Sequence, residues 1–362
     1  KDVPKLLLQL ELKFSDGSSK IIKSDSSWKT TLGAIQFDSL YTGEIYDARK
    51  EIESWQSPEF DDSEWEMSEI TEAPEGKLKA EMEEPIKIID TITPEKIEQI
   101  NEDHYLIDFG VMTAGWVKIK VNGNKGEKIK IRYGEKVKED GTINLEQDLI
   151  SDEIQIDTYI MKGDQIETWS PKFSYKGFRY VELINFPEEP DDSNIQAEII
   201  HNDLTKTGEF STSNKLFNQI HKNSCRAVLN NLHSIPTDTP VFEKNGWTGD
   251  AQLTAEAAIY NFDMMRFYYK WLNDFKDSQK VNGEIPPIVP TSDWGYSETP
   301  WGWGEVKHAV PAWDSAYILI PWWMYKYYGD ERILKKHYKQ MKKYLEYLGS
   351  RAEGNIVREG LG

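Results

Sequence analysis

Near residue 205 the spacing of apolar residues changes from a period of two to a period of about 3.6, and it does not change back. This order of strands first and helices after excludes the βαβ alternation of a parallel α/β sheet. No glycine-rich phosphate loop accompanies it. The fold class that follows is multidomain β + α. The period predicts a β-domain over 1–77, a β-sandwich over 78–205 and a helical domain over 206–362.

In the first segment Leu8, Leu10, Leu12 and Phe14 alternate with Gln9, Glu11 and Lys13, which predicts a half-buried strand. Asp16-Gly17 marks a turn, and Ile21-Ile22 starts the return strand. Ser68 to Glu84 is polar, contains Pro74 and Gly76, and reads as a connector. Beyond Pro85 the strands resume. One runs from Tyr105 and ends at Gly110, and others cover Val117–Val121, Ile129–Tyr133, Asp157–Ile160 and Phe178–Leu183. Asn122-Gly123 and Gly126 mark turns among them, as expected for a sandwich.

The helical part opens with Ser211 or Ser213 as the expected N-cap. Leu216, Ile220, Ala227 and Val228 then recur at helical spacing, followed by a helical stretch over Ala251–Phe275. Helices over Ala312–Tyr328 and Glu331–Leu348 are separated by Gly329-Asp330. The Pro- and Trp-rich connection Ile285–Pro311 is longer than compact domains ordinarily carry without a functional reason.

Between the first two helical stretches lies Asp238-Thr-Pro-Val-Phe-Glu243-Lys-Asn-Gly-Trp247-Thr-Gly-Asp250. Pro and two Gly argue against a continuous helix here, so the stretch reads as a structured loop that crowds three carboxylates around a Trp. Such crowding costs free energy unless a proton, a cation or a ligand relieves it. A solvated acidic loop is the bland alternative. A metal site is another, but the spacing does not fit an EF-hand and the stretch has no His. The third use is carbohydrate chemistry, in which carboxylates hold hydroxyls, aromatic rings cover C–H faces, and one carboxylic acid protonates a glycosidic oxygen. Glu243, between Phe242 and Trp247 and flanked by Asp238 and Asp250, is the candidate acid, because like charges nearby keep its proton on.

Composition narrows the choice. The 362 residues carry a net charge of −19, which opposes binding to nucleic-acid phosphates. No apolar run is long enough for a membrane helix, and no secretory leader is read. The single cysteine, Cys225, permits no internal disulfide and reads as an inert core thiol. This composition fits export as well as the cytoplasm, the latter slightly favoured. Of 13 Trp, six fall between Trp294 and Trp323, where they line a sugar site or fill the core. His104, His201, His221, His233, His308 and His337 form no metal-ligand spacing, and no Gly-x-Ser-x-Gly elbow is present. His233 either lines the site or is structural.

With these residues in view, the stretch from Asp238 to Gln252 resembles the signature loop of bacterial α-L-rhamnosidases, glycoside hydrolase family 78. Tyr41-Thr-Gly-Glu-Ile-Tyr-Asp-Ala-Arg49 and Phe60–Trp65 resemble that family's N-terminal β-domain. Asp108–Gly110, Ala114–Trp116 and Phe178–Tyr180 resemble its next sandwich, and Pro311–Trp313 and Tyr328–Asp330 its helical domain. The resemblance implies part of an (α/α)6 barrel and an inverting hydrolase of terminal α-L-rhamnosides. Glu243 would be the general acid, Asp238 and Asp250 would hold rhamnose hydroxyls, and Trp247 and Trp313 would pack on the sugar. It implies no cofactor and no metal, and rhamnose-containing glycosides or oligosaccharides as partners. The family often has Cys after the first Asp and Arg before the acid, where this chain has Thr239 and Phe242. The stretch from Lys206 to Gly362 reads as fewer helices than the twelve of an (α/α)6 barrel, and Gly360-Leu-Gly362 reads as a turn. The expectation is a fragment, inactive alone, with the base Glu on a later segment and an N-terminal domain begun part-way. A sugar-binding protein without turnover, and another (α/α)6 glycosidase or lyase, are the competing readings.

Overall fold

The computed structural model describes residues 4–73, 76–145, 154–163, 165–291 and 310–357. Trp294, Trp301, Trp303, His308, Pro74, most of the Ile285–Pro311 connection and the Gly360–Gly362 turn lie outside them.

Strands β1 (Gln9–Lys13) and β2 (Ser19–Lys23) form an antiparallel hairpin closed at Gly17. Its expected buried face is not buried: Leu10 and Phe14 are about half exposed, since no described element packs over them. Strands β3 (Lys29–Thr30), β4 (Ile35–Ser39), β5 (Gly43–Asp47) and β6 (Glu66–Met67) follow, β3 pairing with β6. The sandwich supplies β7 (Ile86–Ile92), β8 (Lys96–Asn101), β9 (His104–Val121), β10 (Lys128–Gly134), β11 (Ile156–Ile160), β12 (Glu167–Trp169), β13 (Lys176–Ile184) and β14 (Ile195–Asn202).

These strands and β4–β5 make one ten-stranded sheet in the order β4-β5-β11-β10-β13-β9-β14-β7, with β8 and β12 also on β9. The strand expected to end at Gly110 runs through it to Val121. Gly110 has φ 73°, and a Cβ there would meet the Glu95 carboxylate at 1.7 Å, so this glycine bends the strand without ending it. Ile107, Val117, Ile119, Ile131, Phe178 and Val181 fill the core of the sheet.

β5 joins the sheet through a short parallel pairing with β11. The junction contains buried charge. Lys176 donates to both oxygens of Asp157 at 2.6 Å and to Ser174 Oγ at 2.7 Å. Tyr133 Oη and the Glu44 backbone N–H donate to the same carboxylate at 2.7 and 2.8 Å. Gly43 is required beside it, because a Cβ would strike the Ile156 carbonyl at 2.0 Å.

The helical part contains α1 (Lys215–Leu229), α2 (Thr248–Asn261), α3 (Met265–Ser278), α4 (Pro311–Asp314), α5 (Ala316–Tyr328) and α6 (Glu331–Arg351). A short hairpin of β15 (Ala352–Glu353) and β16 (Ile356–Val357) follows. The N-cap of α1 is Asn214, not Ser211 or Ser213; its side chain accepts the Leu216 N–H. The stretch Ala251–Phe275 is two helices, broken at Phe262–Met264. Gly329, at φ 68°, closes α5, and Asp330 caps α6. Helices α2, α3, α5 and α6 enclose Trp271, Phe275, Tyr317 and Tyr344. Phe275 stacks on Tyr317, whose hydroxyl meets His337 Nδ1 at 2.9 Å. The apolar stripe of α1 is open, with Leu216, Phe217 and Ile220 all more than half exposed. Cys225 is half-buried against the helical core. Among the described residues no helix is long and apolar enough to cross a membrane.

Candidate active site

The acidic stretch lies between α1 and α2, and it is pinned to the β-sheet at several points. His233, expected either to line the site or to be structural, is structural. It is buried, stacks on Tyr175 with ring centroids 3.8 Å apart, and bonds the Ile200 carbonyl through Nε2 at 2.9 Å. Burial lowers its pKa to about 3 and keeps it neutral. Gly177 of β13 lies under Pro240 and Val241, where a Cβ would come within 2.8 Å of both side chains.

Lys244 was not singled out in the sequence, although it lies beside the candidate acid. Its backbone is left-handed at φ 51°, and its side chain turns away from the carboxylates into the protein. Nζ donates to the Leu40 carbonyl at 2.5 Å and to the Tyr175 carbonyl at 2.6 Å. Desolvation, reinforced by Lys176, lowers its pKa to about 7. One side chain thus ties the loop both to the turn before β5 and to the start of β13.

The structure brings the three carboxylates together. The Asn245 N–H donates to Asp238 Oδ1 at 2.9 Å, and the Asp238 N–H donates to the Asn245 carbonyl at 3.0 Å. This reciprocal pair closes the loop between Asp238 and Asn245. The Trp247 indole N–H donates to Glu243 Oε2 at 2.5 Å and so fixes that carboxyl from one side. Burial, with the charge of Glu243 adding to it, raises Asp238 to about 7. Asp250 belongs to the first turn of α2 and not to the loop. It remains open to solvent, yet packing around its carboxyl and then the Glu243 charge raise its pKa.

Trp313 reaches the same place from α4. Gly249 makes room for it, since a Cβ there would lie 2.5 to 2.7 Å from three atoms of the indole. Gln252 fastens α4 to α2: it donates to the Ala312 carbonyl at 3.4 Å and accepts from Ser315 Oγ at 2.7 Å. The Gly-Asp-x-Gln spacing therefore has a structural cause, because Gly249 and Gln252 seat Trp313 while Asp250 points outward. Among the described residues no cluster of His, Cys, Asp and Glu could hold a metal ion. A polar cavity of about 170 Å³, whose lining includes Glu135, Lys136, Asn144 and Gln155, meets the loop only at Val241.

Comparison with known proteins matches the chain end to end. Residues 1–90 match the α-L-rhamnosidase N-terminal domain, 98–201 the bacterial α-L-rhamnosidase concanavalin-like domain, and 205–362 the bacterial α-L-rhamnosidase 6 hairpin glycosidase domain. The chain belongs to the bacterial α-L-rhamnosidase family. An α-L-rhamnosidase of Formosa agariphila is 35% identical over 99% of this chain, and one of Streptomyces avermitilis 33% identical over 97%. The solved α-L-rhamnosidase of Dictyoglumus thermophilum is 44% identical and superposes over 98% of this chain with a TM-score of 0.91. The Streptomyces avermitilis α-L-rhamnosidase, solved with L-rhamnose, is 32% identical over 96% of it, with a TM-score of 0.88. The chain spans 38% and 33% of the two curated relatives, and 39% and 33% of the two solved chains.

Within this rhamnosidase framework the seating of Trp313 gives a first prediction. Gly249→Ala drives a methyl group into the indole and displaces it while leaving α2 intact, since Ala is the better helix former. If the full-length protein hydrolyses an aryl α-L-rhamnoside, kcat/KM then falls by about 10²-fold, the scale of a misplacement of about 1 Å. The far-ultraviolet circular dichroism spectrum stays unchanged. A Gly249→Ala enzyme with normal kcat/KM would show that Trp313 has no part in the site.

Proposed function

We propose that the full-length protein hydrolyses terminal α-L-rhamnosides with inversion, and that Glu243 is its general acid. The observation that carries this is the Glu243 carboxyl held by the Trp247 indole between Asp238 and Asp250. A general acid has to keep its proton in one position relative to the glycosidic oxygen, and the indole N–H holds one carboxyl oxygen while the other stays available. Asp238 and Asp250 grip sugar hydroxyls. Asp238, with its pKa near 7, both accepts and donates such bonds around neutrality. Trp247 and Trp313 cover the apolar face and the methyl group of rhamnose. No cofactor enters this chemistry. It transfers a proton to the leaving oxygen, adds water at the anomeric carbon, and returns a proton from that water to a second carboxylate.

In an inverting site that second carboxylate stands about 6.5–9.5 Å from the acid, with a water between them. Asp238 and Asp250 are assigned to the sugar, so the base comes from the further length that the relatives possess. The chain spans 38% of the Formosa agariphila relative. Proton NMR of the full-length protein acting on an aryl α-L-rhamnoside tests this directly. The β-anomer of rhamnose appears first and then mutarotates. Release of the α-anomer would make the enzyme retaining and overturn the assignment of a distant base. Rhamnose binding without any hydrolysis would leave a sugar-binding protein.

A further inference from the structure

Glu243 is followed in the chain by a lysine whose side chain leaves the acidic loop for the protein interior. We propose that Lys244 is a positioning residue for the general acid: it fastens the backbone at Glu243 to two parts of the β-structure, so that proton delivery depends on the docking of those parts. The proposal rests on the reading of Glu243 as the acid and adds to it what holds that acid in place.

Among the described residues the Glu243 carboxyl is held from one direction, by the Trp247 indole N–H on Oε2. One hydrogen bond leaves a carboxyl free to swing unless the backbone beneath it is fixed. The next residue fixes it. Lys244 sits at φ 51°, a left-handed backbone that a residue with a Cβ keeps only when its surroundings hold it there. Here the far end of its own side chain does so. Nζ donates to the Leu40 carbonyl, in the turn between β4 and β5, at 2.5 Å and to the Tyr175 carbonyl, just before β13, at 2.6 Å. It also lies 4.5 Å from the centroid of the Tyr175 ring, which is itself stacked on His233. Lys244 is therefore anchored at its tip, and the acid is bonded to it directly.

The kind of contact matters as much as its place. Both acceptors are neutral carbonyls, and no carboxylate of a described residue forms a salt bridge with Lys244, which is 4% exposed. A buried ammonium without a countercharge is a costly way to stabilise a loop, and an apolar side chain of similar length would cost less. What the ammonium adds is direction. Its N–H donors settle along two fixed carbonyls, whereas an apolar end would slide. One carbonyl belongs to the N-terminal segment and the other to the sandwich, so the contact senses the docking of both.

The test uses the full-length protein with Lys244→Gly and Lys244→Met. Gly removes the anchor and adopts the left-handed backbone without strain, which protects folding. Met keeps most of the stem and removes the donors. Three quantities are measured: kcat on methyl α-L-rhamnoside, kcat on a dinitrophenyl α-L-rhamnoside, and inhibition by free rhamnose. A misplaced acid lowers kcat on the methyl glycoside by about 10²-fold in both variants, the scale of a displacement of about 1 Å. The dinitrophenyl substrate, whose leaving group needs no proton, and rhamnose inhibition change little. Equal losses on both substrates, as a loosened or partly unfolded enzyme gives, would overturn the proposal, and so would no loss on either. A loss confined to one of two folded variants also overturns it: an active Lys244→Met would show that the stem suffices, and an active Lys244→Gly that the backbone needs no anchor. A melting curve identifies a variant that fails to fold, and the other then decides. If neither folds, the lysine carries the fold and not the acid, and the proposal falls. A wild-type protein that cleaves no rhamnoside, or a Glu243→Gln protein that loses equally on both substrates, defeats the underlying reading and this proposal with it, and either is seen without touching Lys244.

Discussion

Glu243→Gln in the full-length protein lowers kcat on an alkyl or sugar α-L-rhamnoside by about 10³-fold, the scale of a positioned general acid. The amide keeps the shape of the side chain and still accepts the Trp247 indole N–H, so the loop retains its form and rhamnose inhibition stays close to wild type. What the variant lacks is the proton for the departing oxygen. That gives the result a signature beyond its size: the loss is largest for alkoxide leaving groups and shrinks toward nothing for a dinitrophenyl rhamnoside, whose leaving group needs no proton. A uniform loss across leaving groups would assign Glu243 to binding and move the acid elsewhere. The substitution also removes one of the two influences that raise Asp238, so in the variant Asp238 titrates below the wild-type value of about 7. An aspartate with a raised pKa binds more protons in the folded than in the unfolded state, so it lowers stability progressively as pH rises from about 4 toward 7. In Glu243→Gln that penalty is smaller. The variant is therefore more stable than wild type at pH 8, and the advantage disappears below pH 4.

The features legible in the sequence were those with a short repeat or a dense local composition. The change of period announced strands followed by helices, and the crowding of Asp238, Glu243 and Asp250 around Trp247 marked the candidate site. Missing from that reading were features created by contacts between residues distant in the chain. Lys244 reads as a surface lysine inside an acidic loop, whereas its Nζ is buried between the carbonyls of Leu40 and Tyr175. Tyr41 belongs to a motif that could be recognised only as a resemblance, and its place near Lys244 Nζ depends on the docking of β5 against β11. Gly110 carries the residue type of a strand end, yet β9 continues because the neighbouring strands pair on both sides of the bend. The alternation in β1 is sound as a strand signal, but period two says only which residues share a face, not whether anything covers that face. In the same way Asn214 takes the cap expected of its serine neighbours, because all of these side chains can accept the same N–H.

The docking of β5 depends on buried charge, and Lys176→Met is expected to release it. Lys176 is fully buried and is the cation that faces both Asp157 and Glu44. Desolvation lowers its pKa, so burying it is costly in itself, and the two acids offset that cost. Replacing Lys176 with Met leaves Asp157 with only the Tyr133 hydroxyl and the Glu44 N–H, and leaves Glu44 without its countercharge. Removing one partner of a buried pair costs about 3–5 kcal/mol, and at this chain length that lowers the first unfolding transition by about 10 °C. The loss is expected to be local at first. Only Thr158, Tyr159 and Ile160 pair with β5, so the segment from β4 to β5 leaves the sheet before the sandwich core melts. Limited proteolysis of Lys176→Met then cuts between residues 30 and 60 while Ile107, Val117 and Phe178 remain protected in hydrogen exchange. Adding Asp157→Asn recovers much of the stability, because the amide oxygen still accepts the Glu44 N–H while the amide N–H faces the Tyr133 hydroxyl oxygen as a donor, and no uncompensated charge remains. A Lys176→Met protein that melts at the wild-type temperature would mean that the pair contributes nothing and that backbone pairing alone holds β5. A double variant no better than Lys176→Met would place the cost in lost packing around the lysine stem. Because the turn before β5 carries Leu40 and Tyr41, undocking it also frees Lys244 and loosens the loop that holds Glu243. Rhamnoside turnover in Lys176→Met is therefore expected to fall well below the temperature at which the helical domain unfolds.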